Sequence, residues 1–181
     1  DAKPKIERDI RLIKAGIIGE ERIGFELRNS HIPMWVLHDI YLKGGDLSAQ
    51  IDYLIITRRC IFVVECKNLF GNVEIDSSGN FIRTVQYGKR FIKEGIYSPI
   101  TQNARHLELI KALRAETKTN ILAKKLFEKS FYDTYRTVVV LANPQTVLNA
   151  KYAKRDIKQQ VIRADRLIAY IKEINDMQST D

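Results

Sequence analysis

Two β-rich runs, residues 50–57 and 60–68, are separated only by Arg58-Arg59. Runs of this composition joined by a short polar link fold back on each other as an antiparallel hairpin. An even-length loop centred on the two arginines sets the register. Ile56 then faces Ile61, Leu54 faces Val63, Asp52 faces Glu65 and Gln50 faces Lys67. All eight side chains share one face, because side chains alternate along a strand. That face is apolar near the turn and polar at the open end. An odd-length loop would shift the pairing and put Asp52 and Glu65 out of direct register.

Two carboxylates placed opposite each other stand roughly 4.5–5.5 Å apart at Cβ and repel. A hard divalent cation bound by both offsets that repulsion. Lys67 adds a positive charge on the same face. An Asp, a Glu and a Lys converging at a strand end suit metal-assisted phosphodiester hydrolysis.

The remaining chain is read around this hairpin. Residues 4–28 have the periodicity of a helix, with Ile6, Ile10, Ile13, Ile17, Glu20, Gly24 and Leu27 on one stripe. Glu20 interrupts the stripe, and from the residues alone it is either a buried acid supported by a metal or an acid at the stripe's edge. Gly16, Gly19 and Gly24 lower helix propensity and suggest close approach to another backbone. Residues 35–43 read as a strand, and 73–76 with 81–85 as a second hairpin. Residues 86–93 mix basic and aromatic side chains. Such a mixture tracks a phosphate backbone while rings stack on bases, and it equally describes an exposed strand edge guarded by Lys.

Ser98-Pro99 marks a helix start, with Ser as the N-cap and Pro at the first helical position. That helix runs to about Glu116 with Gln102, His106, Leu109, Ile110 and Leu113 on one face. Gln102 and His106 are either a polar pair projecting into a site or a hydrated helix end. Residues 121–133 fit a short basic helix. Residues 136–142 form a continuous apolar run, expected as a central or parallel strand buried on both faces. A short strand is expected at 147–148 and a last helix over about 155–175.

At 181 residues the chain is read as one domain able to bury a core. A net charge of +8 permits binding to nucleic acid without requiring it. No apolar run is long enough for a transmembrane helix. Cys60 and Cys66 make poor disulfide partners, and free thiols fit a reducing cytoplasm. No Cys/His cluster suggests zinc. The chain opens on Asp1 rather than Met, as a piece of a longer protein would.

Four collinear motifs cover roughly residues 15–110: Gly16-Ile17-Ile18-Gly19-Glu20, Gln50-Ile51-Asp52, the apolar run into Glu65-Cys66-Lys67-Asn68-Leu69-Phe70-Gly71, and Ser98-Pro99-Ile100-Thr101-Gln102-Asn103-Ala104-Arg105-His106. Together they resemble the PD-(D/E)XK nuclease superfamily, and within it the nuclease-related domain, NERD. Tyr53 stands where that family commonly has His, and Ser98 where it has Asn.

The resemblance implies an α/β fold with a restriction-endonuclease-like core, a central mixed β-sheet flanked by helices. The domain would span 1–181, with its core at about 15–142. It implies a divalent-metal-dependent nuclease acting on DNA foremost, with a non-catalytic nucleic-acid-binding module as the alternative. Asp52, Glu65 and the Cys66 carbonyl would hold Mg²⁺ or Mn²⁺, with Glu20 bound directly or through water. Lys67 would orient the attacking water and stabilise charge, and Gln102 would orient substrate or water. Lys89, Arg90, Lys93 and Arg105 are candidates for phosphate contacts. Oligomeric state is open, a homodimer included.

Overall fold

The structure is a computed structural model that describes residues 3–177. Helix α1 spans Lys3–Arg28. Strands β1 (Trp35–Gly44), β2 (Leu47–Ile56), β3 (Ile61–Lys67), β4 (Asn72–Ile75), β5 (Phe81–Tyr87) and β6 (Arg90–Ile96) follow. Then come α2 (Pro99–Glu116), α3 (Ile121–Thr134), β7 (Tyr135–Leu141), β8 (Leu148–Asn149), α4 (Arg155–Gln160), β9 (Val161–Arg163), a 3₁₀ turn at Ala164–Arg166 and α5 (Leu167–Met177). The strands form two sheets, one ordered β1-β2-β3-β7-β9 and the other β6-β5-β4-β8. The second sheet is mixed, since β4 pairs antiparallel with β5 and parallel with β8.

The chain gathers into two compact units. One comprises Asp1–Ser30, Cys66–Tyr97 and Val140–Leu167, and the other His31–Glu65, Ser98–Val139 and Ile168–Asp181. In the second unit, Ile51, Val63, Leu107, Ile110, Phe131 and Tyr135 form a buried cluster that joins β2 and β3 to α2 and α3. Capping places both helices: Ser98 Oγ accepts from Thr101 N at 3.3 Å, and Asn120 Oδ1 accepts from Ala123 N at 2.7 Å. β7 carries a run of buried residues, Val138 to Leu141, as its continuous apolar sequence predicts.

In the first unit, α1 is fastened at Gly19. A Cβ there would stand 2.6 Å from Asn68 Cβ and 3.2 Å from Cys66 Sγ, so only glycine fits. Gly16 meets nothing within 4 Å. The expected apolar stripe divides at this point. Gly19, Ile23, Gly24 and Leu27 are buried, whereas Ile6, Ile10, Ile13 and Ile17 are exposed. Periodicity sets the stripe, but burial needs an element to cover it, and none of the described residues of this unit covers the first turns.

The expected last helix over 155–175 is interrupted. Val161–Arg163 joins the edge of the five-stranded sheet as β9, with Val161 4% exposed. Two β-branched residues in succession yield to sheet pairing there. Leu167 and Ile171 are buried.

Candidate active site

The hairpin closes as its sequence requires. Thr57 N donates to Cys60 O at 2.9 Å around Arg58-Arg59, and the ladder runs Ile56↔Ile61, Ile55↔Phe62, Leu54↔Val63, Tyr53↔Val64. The paired residues end at Tyr53↔Val64, and Asp52 and Glu65 are the next residues on the two strands. Asp52 is half-buried and Glu65 is 2% exposed. A carboxylate this deeply buried carries a desolvation cost that partners must offset. His106, on α2, stands with Nδ1 3.6 Å from Glu65 Oε2, and its side chain is 12% exposed. His106 is thus half-buried against β3 rather than fully hydrated.

Asn103 holds α2 in place and is a residue the sequence reading passed over. It is fully buried, and its Nδ2 donates to Val63 O at 2.9 Å and Val138 O at 3.1 Å. One amide thus ties the helix to neighbouring strands β3 and β7, one turn before His106. Its signal was present: Pro99, Asn103, Leu107 and Ile110 recur at helical spacing, and Asn103 interrupts that buried stripe.

Asp39 was also missed. It falls between the pairs His38↔Tyr53 and Ile40↔Ile51, level with Asp52, and takes φ 55°. Asp tolerates that left-handed conformation better than most residues. Its Oδ1 accepts from Gln50 Nε2 at 2.5 Å, so the first residue of the Gln-Ile-Asp motif reaches across to β1. Gln102 is half-buried on α2. Arg105 is exposed and, with His106, lines a cavity of about 600 Å³ against β2.

In the other unit, Cys66 and Lys67 continue β3, with Lys67 two residues past Glu65 and so on the same strand face. Glu20 is half-buried on α1, next to the close contact at Gly19. Ala142 N donates to Lys67 O at 3.0 Å, and Asn68 Nδ2 donates to Ala15 O at 2.6 Å. The Glu-x-Lys-Asn motif is therefore anchored to α1 by its Asn. Lys89 lies in the β5–β6 turn, and Arg90 and Lys93 lie on the exposed edge strand β6. Among the described residues, no three His, Cys, Asp or Glu side chains gather to hold a metal by themselves.

A family model described as the nuclease-related domain matches residues 15–142, the stretch that carries α1, the Asp52–Glu65 hairpin, α2 and β7. The chain belongs to the nuclease-related domain family. No curated protein and no solved structure matches it. The family assignment covers every motif residue named above, from Glu20 to His106. No helix of this nuclease-related domain, among its described residues, is long and apolar enough to cross a membrane.

Proposed function

We propose that this nuclease-related domain hydrolyses phosphodiester bonds of nucleic acid, DNA foremost, with Mg²⁺ or Mn²⁺ held by Asp52 and Glu65. The observation that carries the reading is the register of β2 and β3. Continued one step past Tyr53↔Val64, that register would set the half-buried Asp52 opposite the buried Glu65 at the polar end of an apolar ladder, where two like charges persist only with compensation. The donor set fits the cation. Two carboxylates, the Cys66 carbonyl and water suit an ion that keeps several waters and is held by one or two protein carboxylates. When bound, the cation would acidify a water and stabilise charge on the scissile phosphate.

The chain's own residues supply the rest. Lys67, on the strand face of Glu65, orients the attacking water and balances charge on phosphorus. His106 fixes the Glu65 carboxylate. Glu20 is the helix acid that the family resemblance adds, acting directly or through water, and Gln102 orients substrate or water. Lys89, Arg90, Lys93 and Arg105 are proposed to meet phosphates.

The test is cleavage of plasmid and linear DNA with Mg²⁺ or Mn²⁺, comparing the wild type with Asp52→Asn and Glu65→Gln. Each substitution is expected to lower cleavage roughly 10²–10³-fold, and calorimetric Mn²⁺ binding should weaken in parallel. Undiminished cutting by either variant overturns the assignment. Salt-sensitive DNA binding without metal and without cleavage would mark a non-catalytic module instead.

A further inference from the structure

Within the unit that carries α1, one groove combines cations and an exposed ring with no acid. Its cavity of about 410 Å³ is lined along α1 by Arg11, Lys14 and Arg22, and from other segments by Asn68, Phe70 and Gln145 among others, none of them acidic. Arg11 and Lys14 make no ion pair or hydrogen bond among the described residues, so their charge is available to an anion. Arg22 is held at the far end, where its Nη1 donates to Asn68 Oδ1 and Ala142 O, both at 3.3 Å. Asn68 directly follows Lys67 in the Glu-x-Lys-Asn motif.

Phe70 is the second element. The residue is 59% exposed, and its loop is tied by hydrogen bonds. Leu69 O accepts from Asn143 Nδ2 at 2.9 Å and Thr146 Oγ1 at 2.7 Å. Gly71 takes φ 88°, and a Cβ there would fall on the Thr84 carbonyl. A large ring kept in water by a loop that cannot fold it inward is a preformed platform. An adjoining cavity of about 360 Å³ shares Arg22 and Pro144 and presents a second ring, Phe25, also 59% exposed. That cavity includes the carboxylates of Glu26 and Asp165, with Asp165 paired to Arg163 at 3.1 Å. The phosphate side therefore falls to the acid-free cavity.

We propose that this groove binds an unpaired stretch of nucleic acid, with phosphate on Arg11, Lys14 and Arg22 and a base stacked on Phe70. A cationic track combined with exposed rings is the arrangement that holds single strands, because every base offers a π-face once unpaired. In a duplex that face is already stacked, so the groove discriminates against paired ends. This inference rests on nucleic acid being the domain's substrate, and it extends that reading to the structure of the substrate.

The experiment is fluorescence anisotropy in chelator, where no cleavage occurs, with an oligothymidylate of roughly a dozen nucleotides and a duplex of equal length. Phe70→Ala should weaken oligothymidylate binding roughly 5- to 100-fold and leave duplex binding within about twofold. Arg11→Glu with Lys14→Glu should weaken binding and flatten the salt dependence by about 0.7 per lost phosphate contact. Lys124→Glu with Lys125→Glu, an equal charge change on α3, should do much less. Unchanged oligothymidylate affinity in Phe70→Ala overturns the proposal, as does an equal loss for duplex. Competition by polyglutamate as effective as by oligothymidylate would assign the groove to acidic protein and overturn it too. Groove-dependent binding without cleavage when metal is restored would leave this inference standing and remove the nuclease reading.

Discussion

His106 Nδ1 stands 3.6 Å from Glu65 Oε2, the two side chains being 12% and 2% exposed. A buried carboxylate is held most firmly by a neighbour whose own position is fixed, and α2 is fixed by Asn103 one turn earlier. On the proposed reading His106 acts as a positioning residue. His106→Ala is expected to lower cleavage about 10- to 100-fold, the usual cost of losing a group that orients a ligand. Mn²⁺ affinity should fall in step, and His106→Gln, which keeps a polar partner, should restore part of both. Cleavage and Mn²⁺ binding equal to wild type in the Ala variant would show that Glu65 is held without it.

Asn103 supports the same helix by two hydrogen bonds to main-chain carbonyls. Asn103→Leu keeps the size and removes both donors. With buried hydrogen bonds costing about 1–3 kcal/mol each to break, a loss of roughly 2–6 kcal/mol follows. At about 2–4 °C per kcal/mol for a chain of this size, Tm should drop on the order of 5–20 °C. Asn103→Asp, which turns a charge toward the same carbonyls, should lose more. A melting temperature unchanged in the Leu variant would refute the role.

Gly16 and Gly19 on α1 are expected to respond in opposite directions. Nothing lies within 4 Å of a Cβ at Gly16, so Gly16→Ala should stabilise by up to about 1 kcal/mol through helix propensity. At Gly19 the new Cβ meets Asn68 Cβ at 2.6 Å, with Cys66 and Ala142 behind it. Gly19→Ala should destabilise by about 1–3 kcal/mol. Denaturant titration of the two variants reads both signs at once.

Alkaline pH should weaken the fold in a defined window. Burial pushes the Cys60 thiol above its ordinary 9.0, with Arg136 acting in the opposite sense. Burial likewise raises the Tyr170 phenol above 10.0, again opposed by Arg136. In both cases the folded chain keeps the proton longer than the unfolded chain. The stabilisation is full below pH 9 and is lost as pH rises from there through the folded-state values. Each group contributes at most about 1.4 kcal/mol per pH unit. Cys60→Ala should flatten the slope just above pH 9, as read by urea unfolding at stepped pH. A slope identical to wild type would show that another group controls it.

The nuclease-related fold was legible where local chemistry leaves few choices. The two-residue link Arg58-Arg59 and the β-rich runs on either side determined the register that runs from Ile56↔Ile61 to Tyr53↔Val64. Ser98-Pro99 and Asn120 set helix starts, and the apolar run into Leu141 marked a buried strand. Each depends on residues close in sequence, so spacing alone suffices to read it.

Tertiary structure decided what depends on residues far apart in the chain. Ile6, Ile10, Ile13 and Ile17 have a perfectly helical spacing, and they are exposed because a stripe is buried only where something packs against it. Val161–Arg163 left a helical pattern because a sheet edge was available to pair with it. Asn103 became a clamp because two carbonyls, from residues 40 and 35 positions away, converge on its amide. Asp39 reached the level of Asp52 only through the pairing of β1 with β2. The sequence alone determined the hairpin's turn and its register. Long-range packing alone determined how deeply Glu65 is buried, that His106 stands beside it, and which cations line one groove with the exposed ring of Phe70.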